Sequence, residues 1–428
     1  GAVTLTAADT VTLADTGAIL AGLSGADFGG LAANGVDRLD STNNVLSLSV
    51  AQFQALGAVT LTAADTVTLV DAGTTLAGLS VADIGGLATK GVDRLDSIDN
   101  VLTLSVAQYL ALGTVTLTAA DTVTLADTGA TLAGLTAAQI TALTGIGIDR
   151  IDATDDALTL SRAQFVALGN VTATLDDALT VVGTAADDNF VFTTQTFTNN
   201  DSLVGSAGTN DTLTLGGDYS AGVTFGSEAL SGIERIVLQP GGDFDVTTVE
   251  ANVGSGQMLT VAGTTLGTGD SLIFNGSAET DGRFTFRGGA GPNTFTGGNQ
   301  ADTVAAGSGV DTLRYTSAGQ STSTTYDTVG GFDFAQDRLD VAGPVTNTKL
   351  ASGALSSGAT FDSGLAAALA GLGDNEAALF TATGGNLNGS TFVVVDQNGL
   401  AGYQAGEDLV LRLTNPTNLG LFQTTDFL

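Results

Sequence analysis

The first part of the chain, residues 1–168, is built from three copies of one 56-residue unit. The string GAVTLTAADTVTLADTG begins at Gly1, and close copies of it begin at Gly57 and Gly113. A unit that recurs at a fixed interval buries its apolar face against its neighbours, so this segment is expected to form a stacked array. The array opens at Gly1 without a polar capping unit, which favours a further repeat or another subunit at that end.

Each repeat contains two related halves that predict a short helix and a strand. The halves open with Ser or Thr followed three residues later by Asp or Gln, as at Ser49 and Gln52, which is the pattern of a helix-capping box. Apolar residues follow at helical spacing, and a glycine such as Gly57 ends the helix. Alternating apolar and threonine residues from Val59 onward then predict a strand. Residues 1–168 are therefore predicted to form an αβ solenoid, in a protein that is mainly β with short helices.

The composition excludes much common catalytic chemistry. The chain has 428 residues and contains neither cysteine nor histidine. Thiol nucleophiles, histidine-based triads and the usual zinc sites are therefore absent, and we expect that the protein is not an enzyme. No run of about 18 uncharged apolar residues occurs, so no membrane span is expected.

The charge of the chain restricts its partners. It has 45 acidic and 12 basic residues, which gives a formal net charge of −33. Such a chain repels nucleic acid and anionic lipid, so no nucleic-acid partner is expected. Hard divalent cations held by oxygen ligands have the opposite charge and suit this composition.

After Gly169 the helical pattern fades, and short strands between Gly- and Asp-rich turns predict a parallel β-helix or β-roll. Three nine-residue units run without a gap from Gly288 to Arg314: GGAGPNTFT, GGNQADTVA and AGSGVDTLR. They resemble the RTX nonapeptide GGxGxDxUx of calcium-binding parallel β-rolls. Glycine permits the tight turn, the sixth residue supplies a carboxylate and the eighth fills the roll.

The resemblance implies that Ca²⁺ lies between successive turns, held by sixth-position side chains and by carbonyls near the glycines. The implied ligands are Gly289, Gly291, Asn293, Gly298, Asp302, Gly307, Gly309 and Asp311. Asn293 carries no charge, and Gln300 and Ala306 replace glycines of the pattern. One well-formed site is therefore expected, between the turns that carry Asp302 and Asp311. Asp188 holds the sixth position of a degenerate copy that begins at Gly183, where an ordinary Asp/Gly turn is the alternative.

The last third of the chain carries a second resemblance. The segment from Thr328 to Val341 and the tail up to Leu428 resemble the region that follows the β-roll in type I secreted bacterial proteins, serralysin-type proteases included. The resemblance implies a β-rich C-terminal signal, the type I secretion machinery as export partner, and a Gram-negative cell surface. The expected domains are 1–168, the solenoid; 169–341, the calcium-binding β-roll; and 342–428, the secretion region.

The tail also contains closely spaced oxygen ligands. Asp396, Asn398 and Asp408 surround two glycine-containing turns. They form either a second calcium site or a plain hairpin turn.

Three functions are considered for such a chain. The first is a structural, calcium-dependent secreted protein that self-assembles into an S-layer, a filament or an extracellular matrix. The second is an adhesin module that binds a ligand or a cell-surface polysaccharide, although 6% aromatic residues and no Trp disfavour sugar stacking. The third, a β-helix polysaccharide lyase or epimerase, has no supporting residue constellation. We therefore expect the structural protein, with a second copy of the chain as its main partner.

Overall fold

The computed structural model describes residues 9–174, 176–193 and 196–428. The expected opening of the array at Gly1 lies outside these residues. The chain divides into two units, one ending at Leu179 and the other beginning at Thr180. The chain as a whole consists mostly of strands in parallel sheets with short helices, as the sequence predicts, and most of the helices lie in the first unit. The domain limits at residues 168 and 341 stay predictions.

The first unit alternates short helices with short parallel strands. Its helices are α1 Gly17–Ala21, α2 Gly25–Leu31, α3 Val50–Ala55, α4 Gly73–Ala77, α5 Val81–Leu87, α6 Val106–Ala111, α7 Gly129–Ala133, α8 Ala137–Ile146 and α9 Arg162–Leu168. Its strands are β1 Thr12–Asp15, β2 Arg38–Ser41, β3 Val45–Leu48, β4 Thr60–Leu61, β5 Thr66–Asp71, β6 Arg94–Ser97, β7 Val101–Leu104, β8 Thr116–Leu117, β9 Thr122–Asp127, β10 Arg150–Ala153, β11 Ala157–Ser161 and β12 Thr172–Ala173. The sheets run β1-β2-β4, β3-β5-β6-β8 and β7-β9-β10-β12.

The predicted capping boxes are confirmed. Ser49 Oγ accepts a hydrogen bond from the amide of Gln52, and Gln52 Oε1 accepts one from the amide of Ser49. The same reciprocal pair begins α2, α5, α6, α8 and α9. Gly57 follows α3 with a φ of +59°, a conformation that glycine adopts without strain.

In each repeat, the capping glutamine of the second half also bonds to an earlier part of the same repeat. Gln52 Nε2 donates to the carbonyls of Ala21 and Leu23 at 2.8 and 2.7 Å. Gln108 Nε2 donates in the same way to the carbonyls of Ala77 and Leu79, and Gln164 Nε2 donates to those of Ala133 and Leu135. Because these glutamines hold equivalent positions in successive repeats, the bond recurs with the sequence period.

The second unit is almost entirely β. Its strands are β13 Ala178–Val182, across whose length the division falls, β14 Asn189–Phe192, β15 Ser202–Val204, β16 Thr212–Leu215, β17 Tyr219–Thr224, β18 Leu230–Ser231, β19 Arg235–Leu238, β20 Phe244–Thr247, β21 Met258–Ala262, β22 Leu272–Asn275, β23 Arg283–Arg287, β24 Asn293–Thr296, β25 Thr303–Ala305, β26 Thr312–Tyr315, β27 Asp327–Gly330, β28 Arg338–Val341, β29 Asn347–Ala354, β30 Glu376–Gly384, β31 Thr391–Val395 and β32 Leu409–Thr414. Helix α10 is Phe361–Ala368.

Strands β13, β15 and β18 pair in a separate sheet, and from β19 to β28 successive strands alternate between two parallel sheets. One sheet contains β14-β16-β19-β21-β23-β25-β27, and the other contains β17-β20-β22-β24-β26-β28. Thr285 pairs with Thr303, and Thr294 pairs with Thr312. One full coil of the nonapeptide segment therefore takes two nonapeptides, which is the geometry of a β-roll. Eighth-position side chains such as Phe295 fill it, with the Phe295 ring 5.1 Å from that of Phe286.

The C-terminal residues extend the first of these sheets. Strand β32 pairs in parallel with β27, and β31 and β30 follow in antiparallel order. Strand β29 pairs in parallel with β30 and is the last strand of the sheet. Helix α10 buries Phe361 and Leu365 against the β30–β31 hairpin. The sheet is thus continuous from the roll into the region predicted to be the secretion signal.

Candidate metal centre

The nonapeptide turns lie at two opposite edges of the roll. The turns that end at Asn293 and Asp311 lead into one sheet, and the turn that ends at Asp302 leads into the other. Hydrogen bonds between stacked turns join residues 18 apart, as between the Asn293 amide and Asp311. The prediction of one ion between the Asp302 and Asp311 turns is therefore wrong, because consecutive nonapeptide turns do not stack.

Three buried side chains form a row that we call the Asp311 edge: Asn293, Asp311 and Asp337. The Asn293 amide donates to Asp311 Oδ1 at 2.9 Å, and the Asp311 amide donates to Asp337 Oδ1 at 3.0 Å. Among the described residues, Asp311 Oδ2 is buried with no hydrogen-bond partner. A buried carboxylate oxygen without a donor is costly unless a cation accompanies it, so this atom fits a metal ligand.

The glycines of this edge allow its turns to stack closely. A Cβ atom on Gly307 would lie 2.0 Å from the carbonyl oxygen of Gly289, and one on Gly309 would lie 2.2 Å from that of Gly291. Gly307 also has a φ of +120°. Any larger residue at these two positions would push the turns apart. The structure thus brings Gly289, Gly291, Asn293, Gly307, Gly309 and Asp311 together.

Asn293 changes the chemistry of its turn. Its Nδ2 atom lies 2.8 Å from the Gly291 carbonyl oxygen, 2.9 Å from that of Ala306 and 2.7 Å from Asp311 Oδ1. Three oxygens therefore converge on one amide group, which takes the place that a cation would have beside an aspartate. The Asn293 turn is satisfied by its own side chain, and Asp311 Oδ2 is the oxygen left for an ion.

Two fully buried carboxylates form the Asp302 edge: Asp302 and Asp327. Asp302 Oδ1 accepts a bond from the Phe284 amide at 2.7 Å, and Asp302 Oδ2 accepts one from Gly298 at 3.2 Å. The Tyr315 hydroxyl donates to Asp327 Oδ2 at 2.9 Å. Gly298 and Asp302 thus lie together, away from the other implied ligands.

Burial raises the acid pKa values at both edges. It raises the pKa of Asp311 to about 6, with a contribution from the Asp337 carboxylate. It raises the pKa of Asp302 and of Asp327 far above 3.8, and each also feels a neighbouring acid, Glu279 for Asp302 and Asp302 for Asp327. Without a cation, these carboxylates are therefore costly to ionise inside the roll.

Asp188 belongs to a separate row of acids. Its amide donates to Asp211 Oδ1 at 2.6 Å, and the Asp211 amide donates to Glu234 Oε2 at 2.8 Å. Asp211 is fully buried, and its Oδ2 has no partner in the described part of the chain. The arrangement repeats that of the Asp311 edge. Whether Asp188 binds calcium stays a prediction.

The residues Asp396, Asn398 and Asp408 lie in the loop between β31 and β32. Asp396 Oδ1 accepts bonds from the amides of Asn398 and Gly399, and Asp408 Oδ2 accepts one from Gln404 at 2.7 Å. The Asn398 side chain donates to Glu407. The acids thus cap the turns of a hairpin loop, and burial raises the pKa of Asp408 to about 6.

Sequence reasoning gave no ligand role to four acids of these rows, Asp211, Glu234, Asp327 and Asp337, although Asp211 lies in a second degenerate copy of the nonapeptide, residues 205–213, which is one residue too long. The sequence does carry a signal for the three aspartates, because each is followed two residues later by an apolar strand residue. Asp327 precedes Val329 and Asp337 precedes Leu339, as Asp302 precedes Val304. The turns before these aspartates vary in length, so a search for units of nine residues does not find them.

Comparison with known proteins identifies the nonapeptide segment. Residues 285–313 match the family model of the RTX calcium-binding nonapeptide repeat (4 copies). RTX nonapeptide repeats bind Ca²⁺, which confirms the predicted ion, and proteins that carry them are typically secreted. No curated protein matches the chain. Within the described residues, the helices are all too short or too polar to cross a membrane.

Proposed function

We propose that this chain is a structural, calcium-dependent protein of a Gram-negative cell surface, which self-assembles into an S-layer, a filament or an extracellular matrix. The observation that carries the proposal is the stacking of buried carboxylates along both edges of the roll. In a chain of net charge −33, basic side chains are too few to neutralise these rows of acids. Divalent ions would therefore neutralise them and reduce the repulsion between chains.

Calcium also accounts for where such a protein folds. Cytosolic free calcium is too low to fill sites of micromolar or weaker affinity, whereas calcium outside the cell fills them. The chain therefore crosses the type I secretion machinery unfolded, led by its C-terminal region, and folds after export. We place no catalytic step on it, since it has no cysteine or histidine.

Residues 1–168 are proposed to be an αβ solenoid of three successive 56-residue repeats. Equivalent capping boxes and equivalent glutamine bonds recur one period apart, as at Gln52, Gln108 and Gln164. Each repeat would bury its helices and strands against the next, giving a rod that carries the calcium-binding part away from, or along, a surface.

Self-assembly is supported by the outer strand of the long sheet. Strand β29 is the end strand, so one side of it offers unpaired backbone groups to another chain. Leu350, in the middle of β29, is 76% exposed. We propose that the occupant of this edge is a second copy of the chain, brought close once calcium reduces the mutual repulsion.

Light scattering during a calcium titration tests this proposal. Purified wild-type protein should grow into large particles as calcium rises to millimolar levels, and a chelator should reverse the growth. Leu350→Lys places a charge on the edge strand and should suppress growth, whereas Leu400→Lys, at another exposed leucine, should not. A protein that stays monomeric throughout would overturn the assembly proposal and favour an isolated adhesin module.

A further inference from the structure

A cluster of three carboxylates lies outside the segment that matches the nonapeptide family. It consists of Glu250, Glu279 and Asp281, which we call the Glu279 cluster. One carboxylate oxygen from each residue lies within 4.8 Å of the others. Glu250 follows strand β20, and the other two lie in the turn between β22 and β23. Three negative charges this close repel one another unless a cation joins them.

Glu279 adds an observation that points to a ligand. Its side chain is completely buried, whereas Glu250 and Asp281 are exposed. Glu279 Oε1 accepts bonds from the amides of Asp281 and Gly282, at 3.1 and 2.7 Å. Its Oε2 atom is buried and has no hydrogen-bond partner among the described residues. A charged oxygen in that position lacks the partner that burial ordinarily demands.

The cluster is held in position by bonds from two coils of the roll. Glu250 accepts bonds from the amide and the hydroxyl of Thr280, at 2.8 and 2.7 Å. The Glu279 carbonyl accepts a bond from the Asn299 amide at 3.0 Å. Gly298 packs so closely on that carbonyl that a Cβ atom there would lie 2.5 Å from its oxygen. The carboxylates are therefore placed before any ion arrives, which reduces the cost of binding one.

We propose that Glu250, Glu279 and Asp281 bind a calcium ion, at a site separate from the nonapeptide turns. Calcium accepts six to eight oxygens in irregular geometry, so it suits one buried and two exposed carboxylates with water completing the shell. Magnesium demands a near-ideal octahedron and fits this arrangement less well. Burial, together with the carboxylates of Glu250 and Asp281, raises the pKa of Glu279, which agrees with a missing positive partner.

The site would continue the row of acids on the Asp302 edge. Glu279 lies in the turn that stacks on the Asp302 turn, and its charge acts on Asp302. The ions along this edge would then extend one coil beyond the recognised nonapeptides. The proposal does not rest on self-assembly, because an ion here would stabilise the roll in a monomer as well.

Calcium binding to the purified full chain, measured by titration calorimetry, tests the site. The charge-removing variant Glu279→Gln keeps an oxygen that accepts the bonds of Asp281 and Gly282. We expect it to bind one calcium ion fewer than wild type, or to bind that ion at least tenfold more weakly. Asp374→Asn, which removes a charge from an exposed turn before β30, should bind calcium as wild type does. Equal stoichiometry and affinity in Glu279→Gln and wild type would overturn the proposal.

A second readout separates ion binding from a merely structural role. In calcium-free buffer, Glu279→Gln should melt at a higher temperature than wild type, because it removes the repulsion; in saturating calcium the order should reverse. A lower melting temperature in both buffers with unchanged stoichiometry would overturn the site. Should this variant fail to fold, the exposed Asp281→Asn decides: loss or tenfold weakening of the same ion supports the site, and unchanged binding refutes it. Light scattering keeps this test separate from the assembly proposal. If either variant still forms large particles when calcium is added, loss of the ion at this site does not depend on self-assembly.

Discussion

The backbone amide of Asp302 donates a 2.7 Å hydrogen bond to Oδ1 of Asp327, and both carboxylates lie inside the roll. The amide of Asp311 makes the equivalent bond to Asp337 on the other edge. Each coil thus fixes an acid of the next coil, so the fold itself brings like charges together. Such stacking is stable only when the acids are protonated or share a cation, and at neutral pH the cation is the effective partner.

The first prediction concerns how the melting temperature of the calcium-free protein depends on pH. Because burial raises the pKa of Asp311 to about 6, the folded roll holds a proton that the unfolded chain releases near pH 4. The stabilising contribution is therefore complete below the unfolded pKa and is lost as pH rises through about 6, and Asp302 and Asp327 act in the same direction. Protein freed of calcium on a chelating resin should melt at a lower temperature at pH 7.5 than at pH 5.

Two controls sharpen the pH measurement. Saturating calcium should abolish the decline, because the ionised carboxylates then bind the ion. Asp311→Asn should flatten part of the profile without calcium, since it removes one titrating group. A calcium-free melting temperature that rises between pH 5 and 7.5 would contradict the account.

The second prediction is that the two edges act independently. A site held at 100 times its dissociation constant contributes about 2.7 kcal/mol to the free energy of unfolding, so Asp302→Asn and Asp311→Asn should each lose up to about that amount in saturating calcium. Their effects in urea unfolding should add to within about 0.5 kcal/mol, because they lie on opposite edges. Asp302→Asn and Asp327→Asn, by contrast, should be strongly non-additive. If the Asp302/Asp311 pair and the Asp302/Asp327 pair deviated equally from additivity, the two edges would not bind separate ions.

The third prediction is that the first unit keeps its structure without calcium. Most of its helices, α5 and α8 among them, are capped by side chains, and Gln52, Gln108 and Gln164 bond different parts of each repeat together. None of these contacts needs an ion. Hydrogen exchange of the full chain should show the same protection in α5 and α8 with chelator and with calcium, while β24 to β27 lose protection in chelator. Loss of protection in α5 on chelation would refute this division.

The fourth prediction concerns export. Deletion of residues 369–428 should leave the protein inside the cell, because type I export reads a C-terminal signal on an unfolded chain. The deletion also removes β30, β31 and β32, so a folding defect must be separated from a missing signal. Val329→Asp places a charge at a fully buried position of β27 and keeps the tail. That variant should still be exported, and secretion of the truncated chain would remove the assignment of the tail.

Much of the fold could be predicted from local signals. The capping pairs, such as Ser49 with Gln52, follow from residue types three positions apart, and the period follows from repeated strings. The nonapeptides predict a parallel roll because Phe295, Val304 and Leu313 recur at the position that faces its interior. The continuity of the long sheet through β32 could not be predicted, since a pairing between residues 327 and 411 leaves no local pattern.

The sequence indicated which types of residue form the candidate site, but it did not indicate which of the aspartates stack on one another. The nonapeptide register marked Asp302 and Asp311, but two strands per coil place them on opposite edges, and a linear register does not reveal that. Their true neighbours, Asp327 and Asp337, follow turns of irregular length. Glu279 was missed because its burial depends on the coil that stacks on it, with Gly298 against its carbonyl.

The central claim is that calcium stabilises the roll by neutralising its buried acids. Scanning calorimetry of the purified full chain at pH 7.5, once in chelator and once in millimolar calcium, tests it most directly. Calcium should raise the temperature of the transition of the second unit markedly, leave that of the first unit unchanged, and lose most of its effect in Asp302→Asn with Asp311→Asn. Superimposable traces in chelator and in calcium would contradict the claim.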